Sequence, residues 1–345
     1  MEIPSCRDKK RAPRNRTLTL TAHERNSYRV RLEKFEGRQL HRSGIENKVI
    51  NSDLFRILDY LPASSADLLF IDPPYNLTKS FSTTLFRARP VSEYQAWVES
   101  WLPTLLKILK PTGSVYFCGD WRSSAAIHLV LDKHLMVRNR ITWEREKGRG
   151  AKTNWKNCSE DIWFATKSDR FTFNIDAVKL RRRVIAPYTD QNGNPKDWQK
   201  SETGGYRLTH PSNLWTDLTI PFWSMPENTD HPTQKPEKLL AKIILASSKP
   251  GDLVFDPFLG SGTTAVVAKK LGRRYAGVEI DEGYCCVAQK RLQLTLNDRG
   301  IQGYADGVFH DRNSLHMAGG PGRRRPLENV RTLFSDSMEV TGEGW

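Results

Sequence analysis

Residues 72–76, Asp-Pro-Pro-Tyr-Asn, combine side-chain types that could do chemistry together. Pro73 and Pro74 fix two φ angles and donate no backbone hydrogen bond, so the carbonyls around them stand as rigid acceptors. Asp72 adds a carboxylate beside them, and Tyr75 offers a flat ring. Acceptors next to an aromatic face suit a planar heterocycle that carries an exocyclic NH2. The lone pair of such an amine is delocalised into the ring, which makes the nitrogen a weak nucleophile. Acceptors on both N–H bonds draw it towards tetrahedral geometry and stabilise the positive charge that develops there. Neither a metal nor a covalent enzyme intermediate is required, and the rest of the catalysis is positioning.

A second constellation lies in FDPFLGSGTTA, residues 255–265. Gly260, Gly262 and Ala265 match a Gly-x-Gly-x-x-Ala turn, and Glu279 follows 19 residues beyond Gly260. Glycines there let a ligand approach the backbone closely, and an acid at that distance accepts two ribose hydroxyls. The layout fits an adenosine-containing cofactor and leaves two open: NAD in an oxidoreductase, or S-adenosylmethionine in a methyltransferase. A phosphate loop is disfavoured, since no Lys follows the last glycine.

These segments need a scaffold. KVINSD, ADLLFIDPPY, SVYFCGD, ITWERE, EDIWFAT, DLVFDPF and RRYAGVEI read as strands. LFRILDYL, SEYQAWVESWLPTLLKILK (with Ser92 as N-cap), EKLLAKIILASS, TTAVVAKKLG and EGYCCVAQKRLQLTL read as helices, the fourth closed by Gly272. Such alternation predicts an α/β fold, a mostly parallel sheet with helices on both faces. Ligands in these sheets bind beyond the carboxyl ends of the strands. Asp53, Asp72–Tyr75, Asp256–Phe258 and Glu279 all fall at such ends, which predicts one shared crevice.

The 345 residues carry 53 Lys and Arg against 39 Asp and Glu, a net charge of +14. That balance suits a polyanion partner, because Lys and Arg gain affinity by releasing phosphate counterions. Residues 1–42 hold 12 Lys/Arg and 5 Asp/Glu and read as a basic flexible arm; residues 306–345 read as a flexible tail. Five cysteines, with no C-x-x-C and with Cys285 and Cys286 adjacent, argue against a disulfide framework or a metal site and for a reducing cytoplasm. No membrane span or signal peptide is read.

The order of motifs adds a resemblance. DPPYN at 72–76, HPTQKP at 231–236 and DPFLGSGTT at 256–264 stand in the order of the permuted "beta" DNA amino-methyltransferases. ITWEREKGRGAKTNWKN and EDIWFAT are similar to internal motifs of restriction-modification adenine methylases. The resemblance covers roughly residues 40–305. It implies a Rossmann-like S-adenosylmethionine-dependent methyltransferase sheet, circularly permuted, with an inserted target-recognition region. The divisions expected are a catalytic half at 43–176, target recognition at 177–230 and a cofactor-binding half at 231–305. The implied activity is methyl transfer to N6 of an adenine flipped out of double-stranded DNA. Cytosine N4 is the alternative, disfavoured because Ser often replaces the Asp in cytosine enzymes. An NAD-dependent oxidoreductase would leave DPPYN and HPTQKP unexplained, and a non-catalytic DNA-binding module would leave an intact cofactor turn unused.

Residue by residue, the resemblance implies that Asp72 and the Pro73 carbonyl hold the target amine, with Pro74 stiffening the motif and Tyr75 stacking on the base. Asp256, Phe258, Gly260, Gly262 and Thr263 would face the cofactor, Glu279 its ribose and Asp53 its adenine. HPTQKP would close over it through Thr233 and Lys235. Lys147, Arg149, Lys152 and Lys156, in a Gly-interrupted basic stretch, and Arg181, Arg182 and Arg183 are expected to clamp DNA phosphates. A cognate restriction endonuclease is an expected partner.

Overall fold

The strand read in ADLLFIDPPY runs over Ala66–Ile71 and sends its side chains alternately into two cores. Leu68 and Phe70 pack on one face with Val266, Val267 and Leu240. Leu69 and Ile71 pack on the other with Tyr94, Trp101 and Ile127. A continuous apolar run is what a strand covered on both faces requires.

The computed structural model describes residues 12–81, 84–145, 153–184, 188–201 and 204–312. Its strands are β1 (Glu33–Lys34), β2 (Lys48–Asn51), β3 (Ala66–Ile71), β4 (Lys79–Phe81), β5 (Thr84–Phe86), β6 (Leu109–Gly119), β7 (Met136–Glu144) and β8 (Ser159–Thr166) in the first part of the chain. There follow β9 (Leu180–Arg183), β10 (Gln199–Ser201), β11 (Gly204–Thr209), β12 (Leu214–Trp215), β13 (Leu253–Asp256), β14 (Arg274–Glu279), β15 (Tyr304–Ala305) and β16 (Val308–His310). The α-helices are α1 (Ala22–Arg29), α2 (Arg42–Ile45), α3 (Leu54–Ile57), α4 (Val91–Leu105), α5 (Ser124–His134), α6 (Glu237–Ser247), α7 (Thr263–Lys270) and α8 (Glu282–Leu294).

Among the described residues nine strands form one sheet, in the order β1-β2-β14-β13-β3-β6-β8-β7-β12. Each neighbouring pair from β1 to β6 is parallel, and β8 runs antiparallel to both β6 and β7. The centre joins distant parts of the chain: Val254 and Phe255 of β13 sit opposite Leu68 and Leu69 of β3. The fold is thus α/β with the cofactor half last, as the motif order implies.

The flexible-arm reading of residues 1–42 is corrected where they are described. Thr21 and Glu24 form a reciprocal capping box that starts α1. The helix is tied to α8 by the Tyr28 hydroxyl, which donates to Gln293 at 2.7 Å, and by the Lys290–Glu24 pair at 2.6 Å. β1 extends the edge of the main sheet. Residues 177–230 were expected to be irregular. They contain β9, β10 and β11, which build a second sheet in the order β10-β11-β9-β16-β15. The strand β16 comes from the segment read as a flexible tail, with Phe309 fully buried. Every residue of α6 is buried. The expected helix over residues 92–110 begins at Val91 after the N-cap Pro90, and β6 already starts at Leu109.

Candidate active site

Asp72 follows the last residue of β3. β3 and β13 are parallel neighbours in register at Leu69 and Phe255, and Asp72 and the Pro257–Phe258 turn follow their last residues, Ile71 and Asp256. The Asp-Pro-Pro-Tyr segment and the Gly-rich turn therefore share one strand-end crevice. The segment is held from several sides. The Tyr94 hydroxyl of α4 donates to the Pro74 carbonyl at 3.3 Å. Asn76 brackets Arg89, its Nδ2 donating to the Arg89 carbonyl at 2.7 Å and its Oδ1 accepting the Arg89 N–H at 2.9 Å.

Around Asp72 the structure gathers a cluster of charges. Lys235 Nζ donates to both Asp72 oxygens, at 2.7 and 2.6 Å, and lies 5.2 Å from the centre of the Tyr75 ring. The Tyr75 hydroxyl donates to Glu160 Oε2 at 3.0 Å, and Arg145 pairs with Glu160 Oε1. Lys235, expected at the cofactor, has its ammonium paired with the Asp72 and Glu160 carboxylates, as a buried cation must be. Burial pushes the Asp72 carboxyl above the usual carboxylate range, and Lys235 pulls it back. Burial alone would lower Lys235, but the charges of Asp72 and Glu160 outweigh it and hold the ammonium on. Burial, Asp72 and Glu160 together keep the Tyr75 phenol protonated far above its ordinary value. The Asp72 side chain retains 17% exposure.

The Gly-rich turn is organised by Asp256. Its carboxylate accepts the Phe258 N–H at 2.9 Å and the Thr264 hydroxyl at 2.6 Å, and burial pushes it up to about 7. Asp256 thus shapes the loop, with both oxygens bound to it. Gly260 and Gly262 have φ of +55° and +84°, a region that glycine enters without strain. A Cβ on Gly262 would meet the Ala288 Cβ at 2.5 Å, so this glycine serves the close approach of α8. A Cβ on Gly260 would meet the His231 ring at 3.0 Å. The HPTQKP segment therefore covers the turn. Its Gln234 is locked by the Thr229 N–H and hydroxyl at 2.9 and 2.7 Å, and His231 stands edge-on to Tyr284 at 4.5 Å. Within that segment the Thr233 N–H reaches His231 Nδ1 at 3.4 Å. The Thr263 hydroxyl, expected at the cofactor, accepts from buried Arg291 at 2.9 Å.

Glu279 accepts the N–H groups of Gly260 and Asp281, each at 2.8 Å, one on each oxygen. Each oxygen keeps a second lone pair for a hydroxyl. Asp53 caps α3 by accepting the Phe55 N–H at 3.0 Å, close to Glu279 because the Ser52 N–H donates to the Glu279 carbonyl at 3.1 Å. Phe258 packs edge-on to Trp101 at 5.6 Å. A glycine turn with two carboxylates at adjacent strand ends fits an adenosyl group.

A cavity of about 440 Å³ opens beside Tyr75, with Leu77, Asp120, Trp121, Arg122, Arg145, Asn157, Ser159 and Glu160 in its wall. Of the expected phosphate clamps, Lys147, Arg149 and Lys152 lie outside the described residues. Lys156 is exposed and directly precedes Asn157, a residue of the cavity wall. Strand alternation sets Arg182 apart from Arg181 and Arg183: its Nε is buried on the side of Asp311 and Lys242, while Arg181 lies 3.7 Å over the Tyr206 ring and Arg183 is exposed. Glu160, Arg145 and Asp120 were not singled out from sequence. Their one signal was a pair of acids, Glu160 and Asp161, opening an apolar strand.

Residues 66–290 match the family model described as DNA methylase. The DNA adenine methyltransferase YhdJ of Escherichia coli (strain K12) is 35% identical over 261 residues, which are 73% of this chain and 85% of that protein. The type II methyltransferase M.BglII of Bacillus subtilis is 33% identical over 71% of this chain and 69% of its own. The type II methyltransferase M.HpaI of Haemophilus parainfluenzae is 31% identical over 73% and 76%. Among solved structures, the cytosine-N4-specific PvuII DNA methyltransferase shares the fold, with a TM-score of 0.53 and 19% identity across 73% of this chain and 93% of that one.

Proposed function

Since this chain belongs to the DNA methylase family, we propose that it is a site-specific adenine-N6 methyltransferase acting on double-stranded DNA with S-adenosyl-L-methionine. The observation that carries the reading is the adjacency of β3 and β13, which sets the Asp72–Tyr75 acceptors beside the Gly260 turn. An oxidoreductase has no use for that pairing.

When bound, S-adenosylmethionine supplies an electrophilic methyl group on a sulfonium. Glu279 and Asp53 hold its ribose and adenine, and the backbone of the Phe258–Gly260 turn lines its methionine end. The target base, flipped from the duplex, enters beside Tyr75 and stacks on that ring. Asp72 and the Pro73 carbonyl accept the two amine N–H bonds. The Asp72 carboxylate, already drawn to Lys235, offers its remaining lone pairs and stabilises the positive charge that builds on the nitrogen. The cavity beside Tyr75 is within the range of small-ligand sites, about 300–1,000 Å³, and Trp121, Arg122 and Arg145 give its wall an aromatic and cationic lining.

Asp72 favours adenine over cytosine N4. Incubation with tritiated cofactor and unmethylated DNA, followed by mass spectrometry of the nucleosides, tests both points. N6-methyladenine is expected. N4-methylcytosine would overturn the choice of base, and absence of label from DNA would overturn the reading. Among the described residues no helix is long and apolar enough to cross a membrane, and we place the protein in the cytoplasm with its DNA substrate. The type II names of two relatives support a restriction endonuclease of the same target sequence as partner; protection of DNA from that nuclease is the corresponding assay.

A further inference from the structure

The mechanism above leaves Glu160 without a task. This carboxylate is the second residue of β8 and only 4% exposed, a depth at which an unpaired charge is costly. Its two oxygens are divided. Oε1 takes Arg145, and Oε2 takes the Tyr75 hydroxyl at 3.0 Å, with Lys235 Nζ 3.6 Å away. Tyr75, Arg145 and Glu160 stand in the wall of the same cavity.

A hydrogen bond at the para position has a specific mechanical effect. Rotation of a tyrosine ring about its own axis leaves the hydroxyl where it is, so the bond does not fix the ring plane. It fixes where the ring points. The plane is then set by what packs on the face, and there the Lys235 ammonium lies 5.2 Å from the ring centre. A charged acceptor makes the anchoring bond stronger than a neutral pair would. Resting on the methylation reading, we infer that Glu160 is a positioning residue: it anchors the tip of Tyr75 so that the ring is already in its stacking pose when the target base arrives, and it acts on the reaction only through Tyr75. The competing role is plain charge balance, in which Glu160 does no more than neutralise Arg145 and Lys235.

The two roles separate in a double-mutant cycle on the full chain, read as kcat for tritium transfer to unmethylated DNA alongside the dissociation constant for S-adenosylmethionine. Tyr75→Phe and Glu160→Ala should each lower kcat about tenfold, the worth of one lost hydrogen bond at the reacting pose, with cofactor affinity unchanged. The double variant should fall no further than the slower single one. Glu160→Gln keeps an amide oxygen that accepts the hydroxyl and should restore most of what Glu160→Ala loses. Losses that multiply in the double variant overturn the inference, and so does full kcat for Tyr75→Phe. That second criterion stands even if Glu160→Ala fails to fold. If the unaltered chain binds cofactor yet labels no DNA, the methylation reading and this inference fall together. Transfer by the unaltered chain with multiplying losses overturns the inference alone.

Discussion

Lys235 presses its ammonium against both oxygens of Asp72, and that contact decides how the site responds to pH. The carboxylate form of Asp72 is the stronger acceptor and the one whose charge stabilises the developing positive nitrogen, so activity falls as pH drops through its folded-state pKa. Burial raises that pKa and Lys235 lowers it again. Lys235→Met removes the charge and keeps the length, so the acid limb of the pH–rate profile should move to higher pH. An unmoved limb would show that Asp72 is not the group that titrates. Asp72→Asn keeps the shape and loses the charge, and should lower the transfer rate about 10²- to 10³-fold while cofactor binding survives. At this scale the sequence was readable where chemistry sits in one short segment, as in Asp72 to Tyr75. It was silent where a partner comes from another strand. Tyr75 and Glu160 are 85 residues apart, and no spacing rule joins them.

The Gly-rich turn shows the same division among elements. Its backbone need was legible from two glycines after a strand, but the reasons differ between them. Gly262 combines φ of +84° with a Cβ position 2.5 Å from the Ala288 Cβ. Gly262→Ala should therefore destabilise the fold by about 2–4 kcal/mol through strain and overpacking, measurable by denaturant unfolding. A neutral result would mean that α8 shifts freely. In β9 the three arginines looked alike as a charge run, yet a strand turns alternate residues to opposite faces. Alternation turns Arg182 away from Arg181 and Arg183, and of those two Arg181 lies over the Tyr206 ring while Arg183 is exposed, which leaves Arg183 the better placed to meet a phosphate. Arg183→Ala should weaken DNA binding and reduce its salt dependence by about one charge. Arg182→Ala should act on stability instead, and equal loss of DNA affinity in both would refute the split. The Thr21–Glu24 box of α1 was in plain view, since Thr-x-x-Glu is a helix start; the surrounding charge hid it.

For the molecule as a whole, the motif order predicted the sheet and its permutation, because the strands that meet at the centre carry their own apolar runs and Asp-Pro endings. The boundary of the second sheet was not readable. β16 adds to β9 from more than 120 residues away, and a three-residue strand leaves no periodicity to detect. What holds it is the buried face of α6. Lys238 of that helix donates to the His310 carbonyl, and Lys242 lies 5.7 Å from the Phe309 ring while paired with Asp217 at 2.5 Å. β16 is thus the closing piece of a layer built by residues 177–209 on one side and the cofactor half on the other. Phe309 is fully buried, so Phe309→Ala should cost about 3–5 kcal/mol of stability, far more than a residue of a loose tail could. A chain ending at Gly307 should lose more, since it also withdraws the His310 carbonyl and leaves the Lys238 and Lys242 charges less enclosed. Unfolding midpoints of both variants within error of the full chain would show that the second sheet stands without its last strand. In that event α6, rather than β16, would be what fixes the second sheet on the catalytic fold.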